Sequence, residues 1–131
     1  MKFFTTYDVF GKFGKVLGGD EQQAIDNTPE GWFFCEGIYD ASTSYFDFDT
    51  DEAATKKEID IFYSSEIPAD GATKAVIRVP EYTGINVVGP SGIEWPLDDD
   101  EIHYATPEPG VHVFVFSGVE HLEKRIEIYA T

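Results

Sequence analysis

Positive charge is what this chain has least of. Its 131 residues hold 9 Lys and Arg against 25 Asp and Glu, a formal net charge of −16. From Val16 to Thr55 there are ten acids and no Lys or Arg, and from Val79 to Glu123 nine acids and again no Lys or Arg. Direct nucleic-acid binding draws on cationic side chains that release counterions, so this balance argues against it. It also argues against an anionic membrane surface. Cysteine is almost missing: Cys35 stands alone, and no intrachain disulfide can form. No run approaches the ~20 apolar residues of a membrane-spanning helix. The start, Met1 to Asp8, has an acid at position 8 and no apolar h-region, so no signal peptide is expected and a cytoplasmic setting is. Catalytic signatures are lacking too. There is no G-x-S-x-G, and Gly11-Lys12-Phe13-Gly14-Lys15 lacks P-loop spacing. No H-x-x-x-H or C-x-x-C gives zinc a footing. The expectation is a protein that is not an enzyme, with no cofactor and no metal.

What the chain does have is aromatics: eleven Phe, seven Tyr and two Trp. That is too apolar for an acidic solvating tail and speaks for a packed domain. Strand-like alternation dominates. Glu58 to Tyr63 and Lys74 to Val79 alternate, with Val76 facing opposite to Ala75, Ile77 and Val79. Phe3 to Phe10, Trp32 to Tyr39, Tyr45 to Phe48, Gly84 to Val88, Val111 to Phe116 and Arg125 to Tyr129 read as further strands. Val111 to Phe116, apolar at most positions, is expected to be covered on both faces. Gly18-Gly19, Asp70-Gly71, Gly89 to Gly92, Asp98 to Asp100 and Pro107 to Gly110 mark turns. One short helix is predicted over Glu21 to Asp26, with Asp20 and Gln23 forming a capping box and Pro29 ending it. The fold class expected is mainly β: an antiparallel β-sandwich with at most one or two short helices, residues 1–131 as a single domain. Val76, Ile77, Val79, Val113 and Val115 are expected in its core.

Two acidic loops are the candidate sites. Asp47-Phe48-Asp49-Thr50-Asp51-Glu52, with Glu58 twelfth from Asp47, has the ligand spacing of an EF-hand calcium loop. Glu52 stands where that loop needs glycine, and the flanks read as strands, so an exposed acidic hairpin fits better. The densest run is Asp98-Asp99-Asp100-Glu101, bounded by Trp95 and Tyr104. Acids here could meet Lys and Arg of a partner, with Trp95 and Tyr104 as aromatic anchors. The contact set read from the sequence is therefore Asp47, Asp49, Asp51 and Glu52, or Asp98, Asp99, Asp100 and Glu101 with Trp95 and Tyr104. Cys35, among Trp32-Phe33-Phe34 and Glu36, reads as a small buried hydrophobe, because low-pKa thiols need basic neighbours.

The order and spacing of Tyr7-Asp8-Val9-Phe10, Ala24-Ile25, Gly31 to Cys35, Glu36-Gly37-Ile38-Tyr39, Val76 to Pro80, Gly84 to Val87 and Pro109 to Val113 resemble competence protein J, the DNA-entry nuclease inhibitor family of acidic bacterial proteins. Acidic immunity proteins against nuclease toxins offer a looser likeness. The resemblance implies an inhibitor that binds a basic nuclease; it transfers no individual inhibitory residue. A ligand-binding β-sandwich, for carbohydrate or calcium, is the alternative.

Overall fold

The computed structural model describes residues 2–131 and is mainly β, with antiparallel sheets and one short helix. The chain divides into two compact units, residues 1–57 and residues 58–131.

In the first unit, β1 (Lys2–Tyr7) lies between β2 (Phe13–Gly19) and β3 (Phe33–Glu36), all antiparallel. The central strand carries two fully buried threonines, and each has a specific task. The β1–β2 register slips between Thr5 and Tyr7. At that bulge the Thr6 hydroxyl accepts from the Lys15 N–H at 3.0 Å and donates to the Lys15 carbonyl at 3.2 Å, doing for the ladder what the backbone there cannot. The Thr5 hydroxyl likewise donates to the Gly37 carbonyl and accepts from the Tyr39 N–H, so it pins the chain leaving β3. Helix α1 (Glu21–Asn27) starts at Asp20 with both bonds of the predicted capping box present, and Ala24 is its buried residue. β4 (Ser44–Asp47) and β5 (Glu52–Thr55) form a separate hairpin. Tyr7, Phe13 and Phe46 make the core of this unit, with Cys35, Tyr39, Ala41 and Ala53 packed on it.

The second unit is a two-sheet sandwich. Its strands are β6 (Phe62–Tyr63), β7 (Glu66–Ile67), β8 (Ala75–Arg78), β9 (Ile85–Val88), β10 (Glu94–Pro96), β11 (Glu101–Tyr104), β12 (Gly110–Gly118) and β13 (His121–Ala130). A five-stranded sheet in the order β10-β9-β12-β13-β7 faces a three-stranded sheet, β11-β8-β6. All pairings are antiparallel except β7 with β13. Ala75, Ile77 and Val79 from one side meet Ile85, Val87, Phe114, Phe116, Ile126 and Ile128 from the other.

Several expectations about individual residues change. Val76 is exposed, because it faces away from Ala75 and Ile77 as the alternation requires. Val113 and Val115 are half-buried: β12 alternates, Phe114 and Phe116 take the core, and the valines sit opposite Glu127 and Arg125 on the outer face. β12 is therefore not sealed on both sides. Of Glu58 to Tyr63 only Phe62 and Tyr63 join a ladder; Ile59 is buried, and its carbonyl accepts from the Lys124 ammonium instead. β1 ends at Tyr7 rather than continuing to Phe10. Asp8 ends it, its carboxylate accepting from the N–H groups of Phe10 and Lys12 at 2.9 Å each. β2 has no counterpart among the predicted strands. Gly14, Gly18 and Gly19 dilute its pattern, and Gly14 is small enough for the Trp32 ring to lie over it.

Candidate functional site

The two acidic loops fall in different units. In the first, Asp47 to Glu52 is the turn of the β4–β5 hairpin, with Asp47 paired opposite Glu52. The Asp47 carboxylate accepts from the Asp49 N–H at 2.9 Å, closing the turn locally. Asp51 adopts a left-handed φ of 57°, a conformation that a short polar side chain tolerates better than most. Asp49, Asp51 and Glu52 are exposed, and Asp47 is half-buried. Glu58, twelfth in the calcium-loop match, belongs to the second unit.

Around this turn lies a group of rings whose role the sequence did not announce. Phe48, 51% exposed, meets Tyr7 edge-on at 5.8 Å between ring centroids and Phe46 at 5.3 Å. Phe33, 47% exposed, stacks on Tyr7 at 5.6 Å, and Tyr7 stacks on Phe46 at 3.9 Å. The Asp8–Lys12 turn presents Val9 and Phe10, the latter 75% exposed. Gly11, with φ of 87°, holds that turn against the hairpin: its carbonyl accepts from the Phe46 N–H at 2.8 Å, and a β-carbon there would strike the Phe46 carbonyl. Burial first, then Cys35 and Asp51, push the Tyr7 hydroxyl up, so the Asp51 charge acts on this cluster. The exposed Phe48 is thus flanked in the chain by the carboxylates of Asp47 and Asp49. The only signal in the sequence was the aromatic-acid alternation of Tyr45 to Asp51 and the run Val9-Phe10, which reads equally well as strand.

The second loop differs in kind. Asp98 and Asp99 are exposed, Asp100 and Glu101 half-buried. Glu101 lies 3.7 Å from Arg78 and 3.3 Å from His103 on its own sheet. Asp99 and Asp100 share a proton through their neighbouring carboxyls, which holds Asp99 below the usual carboxylate range and pushes Asp100 above it. The two expected anchors face inward. Trp95 is half-buried against the sandwich core, with its ring over Gly89. Tyr104 is half-buried, edge-on to Phe114 at 5.1 Å, and its hydroxyl bonds His112 Nδ1 at 2.8 Å. His112 Nε2 meets the Glu108 carbonyl at 2.9 Å. That fixes the tautomer: Nε2–H donates to Glu108, and Nδ1 accepts from Tyr104. These contacts tie the Pro107–Gly110 turn to the core.

Cys35 is half-buried opposite Thr5, and burial pushes its thiol up, away from the reactive range. Among the described residues no three His, Cys, Asp or Glu side chains gather as a metal site, and no helix is long and apolar enough to cross a membrane. Ion pairs are few. Among the described residues, the acids with a cationic partner within 4 Å are Glu36, Glu101 and Glu127. In the two basic-free tracts every acid is exposed apart from the half-buried Asp47, Asp100 and Glu101. No protein-family model, no curated protein and no solved structure matches this chain.

Proposed function

We propose that this chain is an acidic inhibitor, without catalytic activity of its own, that binds and blocks a basic protein in the cytoplasm. A nuclease is the partner that the resemblance to the DNA-entry nuclease inhibitor family implies. The observation that carries the reading is the exposure of the carboxylates in the two basic-free tracts, of which only Glu36 and Glu101 find a cation among the described residues. A surface this one-sided repels itself and weakens the folded state, and a cationic partner is the simplest relief. Carboxylates laid over a nuclease's phosphate-binding surface would exclude the substrate by occupying its charge. They would also steer association, raising on-rates toward about 10⁸ M⁻¹s⁻¹ at low salt.

The test is stoichiometric. Purified chain is titrated into an extract of its native host while DNA and RNA breakdown are followed. Proteins retained on the immobilised chain are identified by mass spectrometry. The expected result is nuclease activity that falls to an end point at a fixed ratio and returns at about 1 M salt, where the Debye length is ~3 Å. Unchanged breakdown at every ratio would sink the nuclease reading. If no basic protein is retained either, the ligand-binding sandwich takes its place.

A further inference from the structure

We infer that the contact surface is the aromatic patch of the first unit, Phe10, Phe33 and Phe48 with Asp49, Asp51 and Glu52, and that its occupant is an arginine-rich segment of the basic partner. The inference rests on the inhibitor reading and names where and by what chemistry it acts.

Phe33 and Phe48 meet the same Tyr7 ring, and Phe10 precedes Gly11, whose carbonyl accepts from the Phe46 N–H beneath them. Rings of this size left in water are the makings of an interface centre, since contact surfaces concentrate aromatic rings at the middle and polar groups at the rim. Two of the rings are held in place from beneath: Phe33 and Phe48 both lean on Tyr7, which is itself stacked on Phe46. Asp47 and Asp49 flank Phe48 in the chain, and Asp51 acts on the same ring cluster through Tyr7. An apolar partner would cover the rings but strip water from the carboxylates without replacing it, which is unfavourable. A guanidinium answers both needs. Its flat face stacks on a ring, and its N–H fork pairs with a carboxylate. A lysine ammonium supplies the charge but neither the planar stack nor the fork. The second loop offers no comparable surface, because Trp95 and Tyr104 are turned into the core and Glu101 is already beside Arg78 and His103.

The experiment uses two labelled peptides of equal length and charge, an Arg–Gly repeat and a Lys–Gly repeat, titrated with the full chain at low salt. The expected result is that the Arg peptide binds more tightly by about threefold or more, the size of an exposed cation–π contact. Phe10→Ala with Phe48→Ala should erase that preference, while Asp98→Lys with Asp100→Lys should leave it. Phe48 also braces Tyr7, so Phe10→Ala with Asp49→Asn provides a variant that spares the core and should weaken the preference in the same way. Equal binding of the two peptides would overturn the inference. So would a preference that survives both first-unit variants, or one that only the second-loop variant removes. None of these outcomes touches the nuclease titration, so the site can fail while the inhibitor reading stands, and the reverse.

Discussion

Asp70 collects three hydrogen bonds within its own turn: from the N–H groups of Ala72 at 2.8 Å and Thr73 at 2.7 Å, and from the Thr73 hydroxyl at 2.6 Å. The Thr73 hydroxyl contributes most to holding its carboxyl at about 2, below the ordinary value, with the two N–H groups next. In the unfolded chain that carboxyl titrates near ~3.9, so between the two values the unfolded state binds the proton and the folded state does not. The stabilisation is therefore whole above about pH 5 and lost as pH falls toward 2. Asp70→Asn is expected to be less stable than the parent at neutral pH, with the difference shrinking across that window. Urea unfolding of both proteins at a series of pH values measures it, and a difference independent of pH would show that the charge is not what the turn holds. Asp70-Gly71 was legible as a turn from residue type alone. Val76 was half-legible: its opposite facing follows from the alternation, but a place in the core does not, and the side that became the core was Ile77's.

At the scale of elements, β8 is where its alternation placed it, and β9, β12 and β13 are where their β-branched and aromatic runs placed them, because such runs leave few other ways to bury themselves. The β1–β2 pair is different. Its bulge depends on Thr6, a residue whose composition signal is neutral and whose meaning comes from lying opposite Lys15. Thr6→Val keeps the shape and removes both bonds. The expected cost is about 1–3 kcal/mol, the penalty of leaving buried polar groups unpaired. Hydrogen exchange should show the Lys15 amide losing protection before those of β12 and β13. Wild-type stability in this variant would mean that water replaces the hydroxyl. The end of β1 was illegible for a related reason: Val9 and Phe10 favour strand, and only the Asp8 carboxylate, capping the Phe10 and Lys12 N–H groups, turns the chain there.

For the whole molecule the dominant fact is a net charge of −16 with little internal compensation. Repulsion among the carboxylates opposes the compact state at low ionic strength and is screened by salt. The melting temperature is expected to rise between about 0.01 M and 1 M sodium chloride, as the Debye length falls from ~30 Å to ~3 Å. Calorimetric scans across that range check it. A melting temperature that falls with salt would mean that attractive pairs, not repulsion, govern the surface. Binding of the proposed basic partner should respond in the opposite sense, weakening as salt rises, because the same field then attracts rather than repels.

Composition and alternation by themselves determined the mainly β fold, the capped helix at Glu21 and the acidic character of the surface. Each of these follows from local rules: a period of two residues, a cap within reach of its own helix, a count of charges. Tertiary structure alone decided which aromatics are buried and which displayed. Trp95 and Tyr104 stand beside the denser acidic run yet turn inward, because the core and His112 offer them partners. Phe10 and Phe48 look like strand residues yet remain in water, because Asp8 and the Asp47–Glu52 turn carry them beyond the ends of their strands. Whether a ring becomes core or contact surface depends on what the rest of the chain brings against it, and that information is not local.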